Sequence, residues 1–165
     1  MAEIYDISTD IAAILTEELE AGKARIIENS ESAGQKASGK TYRSMRVEVI
    51  PDAEGTHGIM TARPYFAALE TGTEPWRTQY LKPPRFFAEI IEDWINDKGL
   101  ALNPYAVATT IMRKGSKLKR QGGRADIFTP EIQTIGEKVQ ERTAGLFQSL
   151  IVESIQRNTN QQDTI

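Results

Sequence analysis

Two spacings of apolar residues alternate along the chain. Between residues 8 and 29 the apolar side chains return every three or four positions, at Ile7, Ile11, Ile14/Leu15, Leu19 and Ile26. That spacing lays one stripe along a helix. Ser8 or Thr9 caps it, and Asp10, Glu17 and Glu18 lie in the half where the helix dipole favours acids. Residues 30–40 contain no large apolar side chain and read as a loop. From residue 41 to residue 50 the period falls to two, with Met45, Val47 and Val49 on one side and Ser44, Arg46 and Glu48 on the other. This is the pattern of a half-buried strand. Turn residues Pro51, Asp52 and Gly55 follow, and Gly58-Ile59-Met60-Thr61 returns as a second strand of an antiparallel hairpin.

The second half is helical. Pro64 opens two helical turns that end before Thr71-Gly72-Thr73, and residues 73–83 read as irregular chain. The doublets Phe86/Phe87, Ile90/Ile91 and Trp94/Ile95 repeat every four residues behind Pro84, closed by Lys98-Gly99. Asn103-Pro104 starts a short helix through Met112, stopped at Gly115. Residues 113–124 hold six basic side chains among glycines and no acid, and read as a long mobile loop. Thr129-Pro130 then caps a final helix with Ile132, Ile135, Val139, Leu146 and Leu150 in its stripe. At about 25 residues it spans nearly 40 Å, and its far end is expected to pack on something else. The expected fold is α+β: a small antiparallel sheet packed against the N-terminal helix and the long C-terminal helix. Residues 1–157 form one domain in this reading, and 158–165 a polar tail.

Composition narrows the chemistry. The chain has 165 residues, 39% hydrophobic and 26% charged, with a net charge of −3. That composition builds a core and gives no overall basic field for gathering nucleic acid. There is no cysteine, which excludes disulfides, thiolate nucleophiles and cysteine zinc sites, and His57 is the only histidine. No apolar run reaches the roughly 18 residues of a membrane span. The Met1-Ala2-Glu3-Ile4 start lacks the layout of a secretory signal. A reducing, cytosol-like place of synthesis is expected, with no cofactor and no membrane partner.

One stretch stands out: Pro64-Tyr65-Phe66-Ala67-Ala68-Leu69-Glu70-Thr71-Gly72-Thr73. It resembles the proline, tyrosine, small residues, then Glu-x-Gly-Thr motif of the minor tail, or tail-completion, proteins of tailed bacteriophages. Upstream, Ser38-Gly39-Lys40-Thr41-Tyr42-Arg43-Ser44-Met45 stands in the place of the family's Thr-Gly-x-Leu-x-x-Ser segment. Downstream, Pro83-Pro84 precedes a helix carrying Trp94, and residues 106–115 resemble the family's helix ending in Ile-x-x-x-Gly-Thr, with Ser116 for the threonine. Thr71 stands where an aromatic residue is commoner, and Asp126-Ile127-Phe128-Thr129-Pro130 replaces an Arg-Pro-Phe segment. In the family's order these segments cover roughly residues 2–155. The resemblance implies a protomer of a ring at the head-tail junction or tail end. It would be made in the bacterial host cytoplasm and carried in the virion, where it would meet other copies, other neck or tail proteins and the packaged DNA.

No catalytic, cofactor or metal residue is assigned from the sequence, and the expected class is a structural protein, not an enzyme. Tyr65, Glu70, Gly72 and Thr73 are read as structural. Gly72 permits positive φ, the hydroxyls satisfy backbone groups freed at a helix stop, and Glu70 is a carboxylate bonded to backbone or to an arginine. Tyr65, Phe66 and Leu69 are spaced to face the core. His57 is read as a solvated turn residue. Trp76, Arg77 and Tyr80 are candidate contacts with a neighbouring subunit, set against a plain role in pinning the loop. Arg113, Lys114, Lys117, Lys119, Arg120 and Arg124 are candidates for a solvated loop, an arm that orders on an acidic partner, or a contact with DNA phosphates. The alternative function is therefore a nucleic-acid-binding module built on residues 113–124.

Overall fold

The computed structural model describes residues 7–35, 39–76 and 82–162. The order of elements is α1 (Ile7–Ser32), α2 (Lys40–Arg43), β1 (Arg46–Pro51), β2 (Thr56–Thr61), a 3-10 turn (Pro64–Ala67), α3 (Ala68–Thr71), α4 (Arg85–Asp97), α5 (Pro104–Lys114), α6 (Lys117–Arg120) and α7 (Thr129–Gln162). The fold is α+β, with a two-stranded antiparallel sheet, an N-terminal helix and a long C-terminal helix. Two compact units divide the chain: Met1–Gly22, Val47–Met60 and Ile132–Ile165 form one, Lys23–Arg46 and Thr61–Glu131 the other.

In the first unit the hairpin lies on α1. Asp52 closes the turn through its backbone N–H to the Gly55 carbonyl at 2.8 Å, while its carboxylate receives the backbone N–H groups of Glu54 and Gly55. Val47 and Val49 are half-buried, and Arg46, Glu48 and Ile50 point outward. Gly58 is glycine because α1 is so near: a Cβ there would lie 2.6 Å from Leu19 Cδ1 and 3.3 Å from Leu15 Cδ2. Glu18 is buried on α1 and accepts from Arg142 of α7 at 2.9 Å, with Glu17 taking the other guanidinium nitrogen at 2.7 Å. An arginine fork shared between two carboxylates leaves no buried charge alone.

In the second unit Ile26, Met45 and Ile127 are essentially sealed from solvent. Ser30 is sealed as well, and its hydroxyl meets the Tyr42 hydroxyl at 2.6 Å, which satisfies both. The apolar doublets of α4 are split by the surface. Ile91 and Ile95 pack with Ala108 of α5, joined by Phe87, Val107 and Ile111, while Phe86, Ile90 and Trp94 remain exposed. The Asn103 side chain accepts from Ala106 N–H at 3.0 Å and starts α5 as the sequence indicates.

Four local expectations are corrected. Residues 41–43 belong to the helical turn α2 and the strand begins at Arg46, because Tyr42 turns inward to bond Ser30 and Ser44 caps the turn through Thr41. The basic stretch 113–124 is not one long loop, since α5 runs to Lys114 and α6 forms a further turn behind Ser116. Tyr65 does not face the core and is 63% exposed, since the 3-10 turn has three residues per turn and carries Phe66 inward in its place. Finally, α7 has 34 residues and continues through Gln162, into the segment expected as a polar tail. Neither glycine nor proline stands there to stop it, and the Thr159 hydroxyl bonds back to the Ile155 carbonyl at 3.0 Å.

Candidate functional site

The motif residues meet in the second unit. The 3-10 turn and α3 bring Glu70 inward, and Gly72 ends α3 at φ 70 and ψ −174, a backbone region open essentially to glycine alone. Glu70 is 3% exposed. Its Oε1 accepts the backbone N–H groups of Ile127 at 2.8 Å, Phe128 at 2.7 Å and Thr129 at 3.0 Å. The Thr129 hydroxyl donates to Oε2. These donors are the first turn of α7 and the residues just before it, so the carboxylate sits where the helix presents unpaired N–H groups and positive dipole. Burial opposes ionisation of Glu70. The Thr129 hydroxyl and the N–H groups of Thr129, Phe128 and Ile127 outweigh it and hold the carboxyl below its ordinary value.

The same segment is fastened to the end of α5 and to α6. Ser116 N–H donates to the Thr73 carbonyl at 2.9 Å, and Thr73 N–H donates to Ser116 Oγ at 2.9 Å. Ser116 Oγ also accepts Lys119 N–H at 3.2 Å as the cap of α6. Trp76 N–H donates to the Met112 carbonyl, and Arg124 N–H to the Glu70 carbonyl, both at 2.9 Å. Two backbones run so close that a Cβ on Gly72 would lie 2.5 Å from Lys119 N, and one on Gly123 2.9 Å from Glu70 O. Residues 127–131 have a second fastening, from α1. Arg25 pairs with Glu131, and the Asn29 amide donates to the Ile127 carbonyl at 3.1 Å.

Comparison with protein-family models, with curated proteins and with solved structures gives no match. The site is therefore read from its own geometry. A carboxylate with four donors in place is held ionised and has little acceptor capacity left for a substrate proton. The carboxylate ties residue 70 to the start of α7, and the Thr73–Ser116 pair ties the same segment to the α5–α6 corner. Among the described residues no group of three or more His, Asp or Glu side chains is placed to hold a metal ion.

The candidate contact residues divide. Trp76 is half-buried against two rings of α4, 4.9 Å from Phe87 and 6.4 Å from Phe86 between centroids. Arg77 and Tyr80 lie outside the described residues. Lys119 pairs with Glu74, the Arg120 guanidinium donates to the Gly115 carbonyl at 2.7 Å, and Arg124 forks onto Asp126. Its bond to Asp126 raises Arg124 above the ordinary arginine value despite some burial. Arg113, Lys114 and Lys117 are exposed. His57 is exposed on the hairpin with its Nε2 3.2 Å from Asp52.

The sequence leaves two site residues unmarked: Ser116 as a two-way tie and Thr129 as a donor to Glu70. Ser116 carried a signal, standing two residues before Leu118 and just after the helix-stopping Gly115 as a cap does. Among the described residues no helix is long and apolar enough to cross a membrane.

Proposed function

We propose that this chain is a structural subunit of the neck or tail of a tailed bacteriophage, assembling with copies of itself as a ring around the DNA conduit. The observation that carries the reading is an apolar face left uncovered in the single chain. On α7, Phe147, Ile151 and Ile155 follow at four-residue spacing and are 48%, 59% and 60% exposed. Val152, next to Ile151, is 52% exposed as well, and Ile132, near the start of the helix, is 61% exposed. Apolar side chains grouped on one helix in this way are the mark of a surface that is covered in an assembly.

The motif residues that carry the sequence resemblance support the same reading. Glu70 directs its side-chain hydrogen bonds to residues 127–129, and Thr73 and Ser116 direct theirs to each other. Their chemistry is directed to holding shape. The two-stranded sheet has both outer edges free of a third strand among the described residues, which leaves backbone groups for a neighbour.

The test is the place of the chain in particles. A phage carrying a tagged copy is examined by electron microscopy with a label on the tag, beside a phage with the gene deleted. Label at the head-tail junction or tail end, with unjoined or incomplete particles after deletion, is the expected result. Intact infectious particles without the chain would overturn the proposal.

A further inference from the structure

The net charge of −3 hides two opposite halves. The unit made of Met1–Gly22, Val47–Met60 and Ile132–Ile165 holds thirteen acidic and three basic side chains, a net charge of −10. The other unit holds ten acidic and seventeen basic side chains, a net charge of +7. Fields of this size reach several times thermal energy at a protein surface and are screened over about 8–10 Å in physiological salt.

Three of the thirteen acidic side chains lie on the hairpin, and seven of the seventeen basic ones lie in residues 98–124. Residues 47–60 hold Glu48, Asp52 and Glu54 with no lysine or arginine. Extending the Asp52–Gly55 pairing along the hairpin sets Glu48 across from Ile59 and Ile50 across from His57, all four outward and exposed. Ile50 and Ile59 are 40% and 39% exposed, so this face has an apolar centre and an acidic margin. Residues 98–124 hold seven basic side chains and no acid. Lys119, Arg120 and Arg124 are tied within the unit, while Arg113, Lys114 and Lys117 are exposed at the α5–α6 corner, with half-buried Ile111 and Leu118 in the same stretch.

We propose that a second copy of this chain covers the hairpin face: the outer side of β1–β2 in one copy docks on the α5–α6 corner, at Arg113, Lys114 and Lys117, of the next. The occupant follows from charge. Two hairpin faces repel one another, as do two basic corners, and only the unlike pair attracts. The contact is thus head-to-tail, between different patches. Every copy then keeps one unsatisfied patch of each kind until a ring closes or a filament grows. The inference rests on the reading of the chain as a self-assembling subunit and names the surfaces that meet.

Two charge-reversed forms of the full chain test it: Glu48→Lys with Glu54→Lys, and Lys114→Glu with Lys117→Glu. All four positions are exposed, and thermal melts check that both forms stay folded. Sedimentation velocity is then run at about 50 mM and about 300 mM salt. The wild type is expected to assemble, more weakly by about tenfold or more at the higher salt. Each reversed form alone is expected to lose the wild-type oligomer and fall to smaller species. An equimolar mixture of the two is expected to assemble, because a basic hairpin then meets an acidic corner and the untouched faces meet as before. A wild type that assembles while both reversed forms reach the same size, or while the mixture does not, overturns the head-to-tail contact and leaves self-assembly standing. A wild type that stays monomeric overturns both. A monomer whose basic corner instead binds a short DNA duplex, with binding lost in Lys114→Glu/Lys117→Glu, assigns that corner to nucleic acid and overturns the contact.

Discussion

Thr73 and Ser116 exchange two hydrogen bonds across 43 positions of sequence: the backbone N–H of Ser116 reaches the Thr73 carbonyl, and the backbone N–H of Thr73 reaches the Ser116 hydroxyl. Ser116 Oγ also caps α6. Removing the hydroxyl leaves two N–H groups short of a partner in a half-buried place. Ser116→Ala is expected to lower the unfolding free energy by about 1–3 kcal/mol, and Ser116→Thr, which keeps the oxygen, by much less. Urea titration of the three proteins checks the order.

Gly72 and Gly99 both have positive φ, at 70 and 62, but differ in surroundings. A Cβ at Gly99 meets nothing within 4 Å, while one at Gly72 would lie 2.5 Å from the backbone nitrogen of Lys119. Gly99→Ala is therefore expected to cost about 1 kcal/mol, from backbone strain alone. Gly72→Ala adds a clash between two backbones and should cost about 3 kcal/mol or more. Equal melting shifts for the two would contradict the close approach of residues 70–73 to α6.

Glu70→Gln keeps the shape but replaces two acceptor oxygens by one, beside four donors. A loss of about 2–4 kcal/mol is expected. The pH dependence has a definite sign. The folded carboxyl lies below the ordinary 4.5, so its contribution is complete above that value and is lost as pH falls through the lower folded one. Wild type and Glu70→Gln should therefore differ most at neutral pH and converge in acid. A gap in stability that stays constant down to strong acid would show that the charge of Glu70 is not what holds the start of α7.

Trp76→Ala tests whether this ring acts within the chain. Its indole lies against Phe87 and Phe86, and its backbone N–H is spent on Met112. Loss of about 2–3 kcal/mol of fold stability is expected, for a half-buried large ring. If the melt is unchanged and assembly alone is lost, Trp76 belongs to the subunit interface instead.

What the sequence made legible were the elements whose cause is local. Apolar spacing located α1, α4 and the hairpin, and Asn103-Pro104 marked the start of α5 through a bond to Ala106 within the same turn. The bonds of Glu70 were not legible, because its partners Ile127, Phe128 and Thr129 lie 57 to 59 positions away and have no spacing in common with it. The basic stretch read as a loop for a similar reason. Its composition lacks a stripe, and what orders it is the cap of Ser116 together with the distant tie to Thr73. The length of α7 exceeds the reading because the apolar stripe named for it ends at Leu150, and beyond it Ile151, Val152 and Ile155 are exposed.

Those exposed residues bear on the central claim, that the folded chain is an unfinished piece of an assembly. Native mass spectrometry of the purified wild type beside Ile151→Asp measures it most directly. At 59% exposure the substitution breaks no core contact, so the fold should persist while the uncovered face is made polar. The expected result is a closed oligomer of one stoichiometry for the wild type and smaller species for the folded variant. Wild type and variant both monomeric, at concentrations of about 100 μM where weak interfaces with Kd near the micromolar range are filled, would contradict the account.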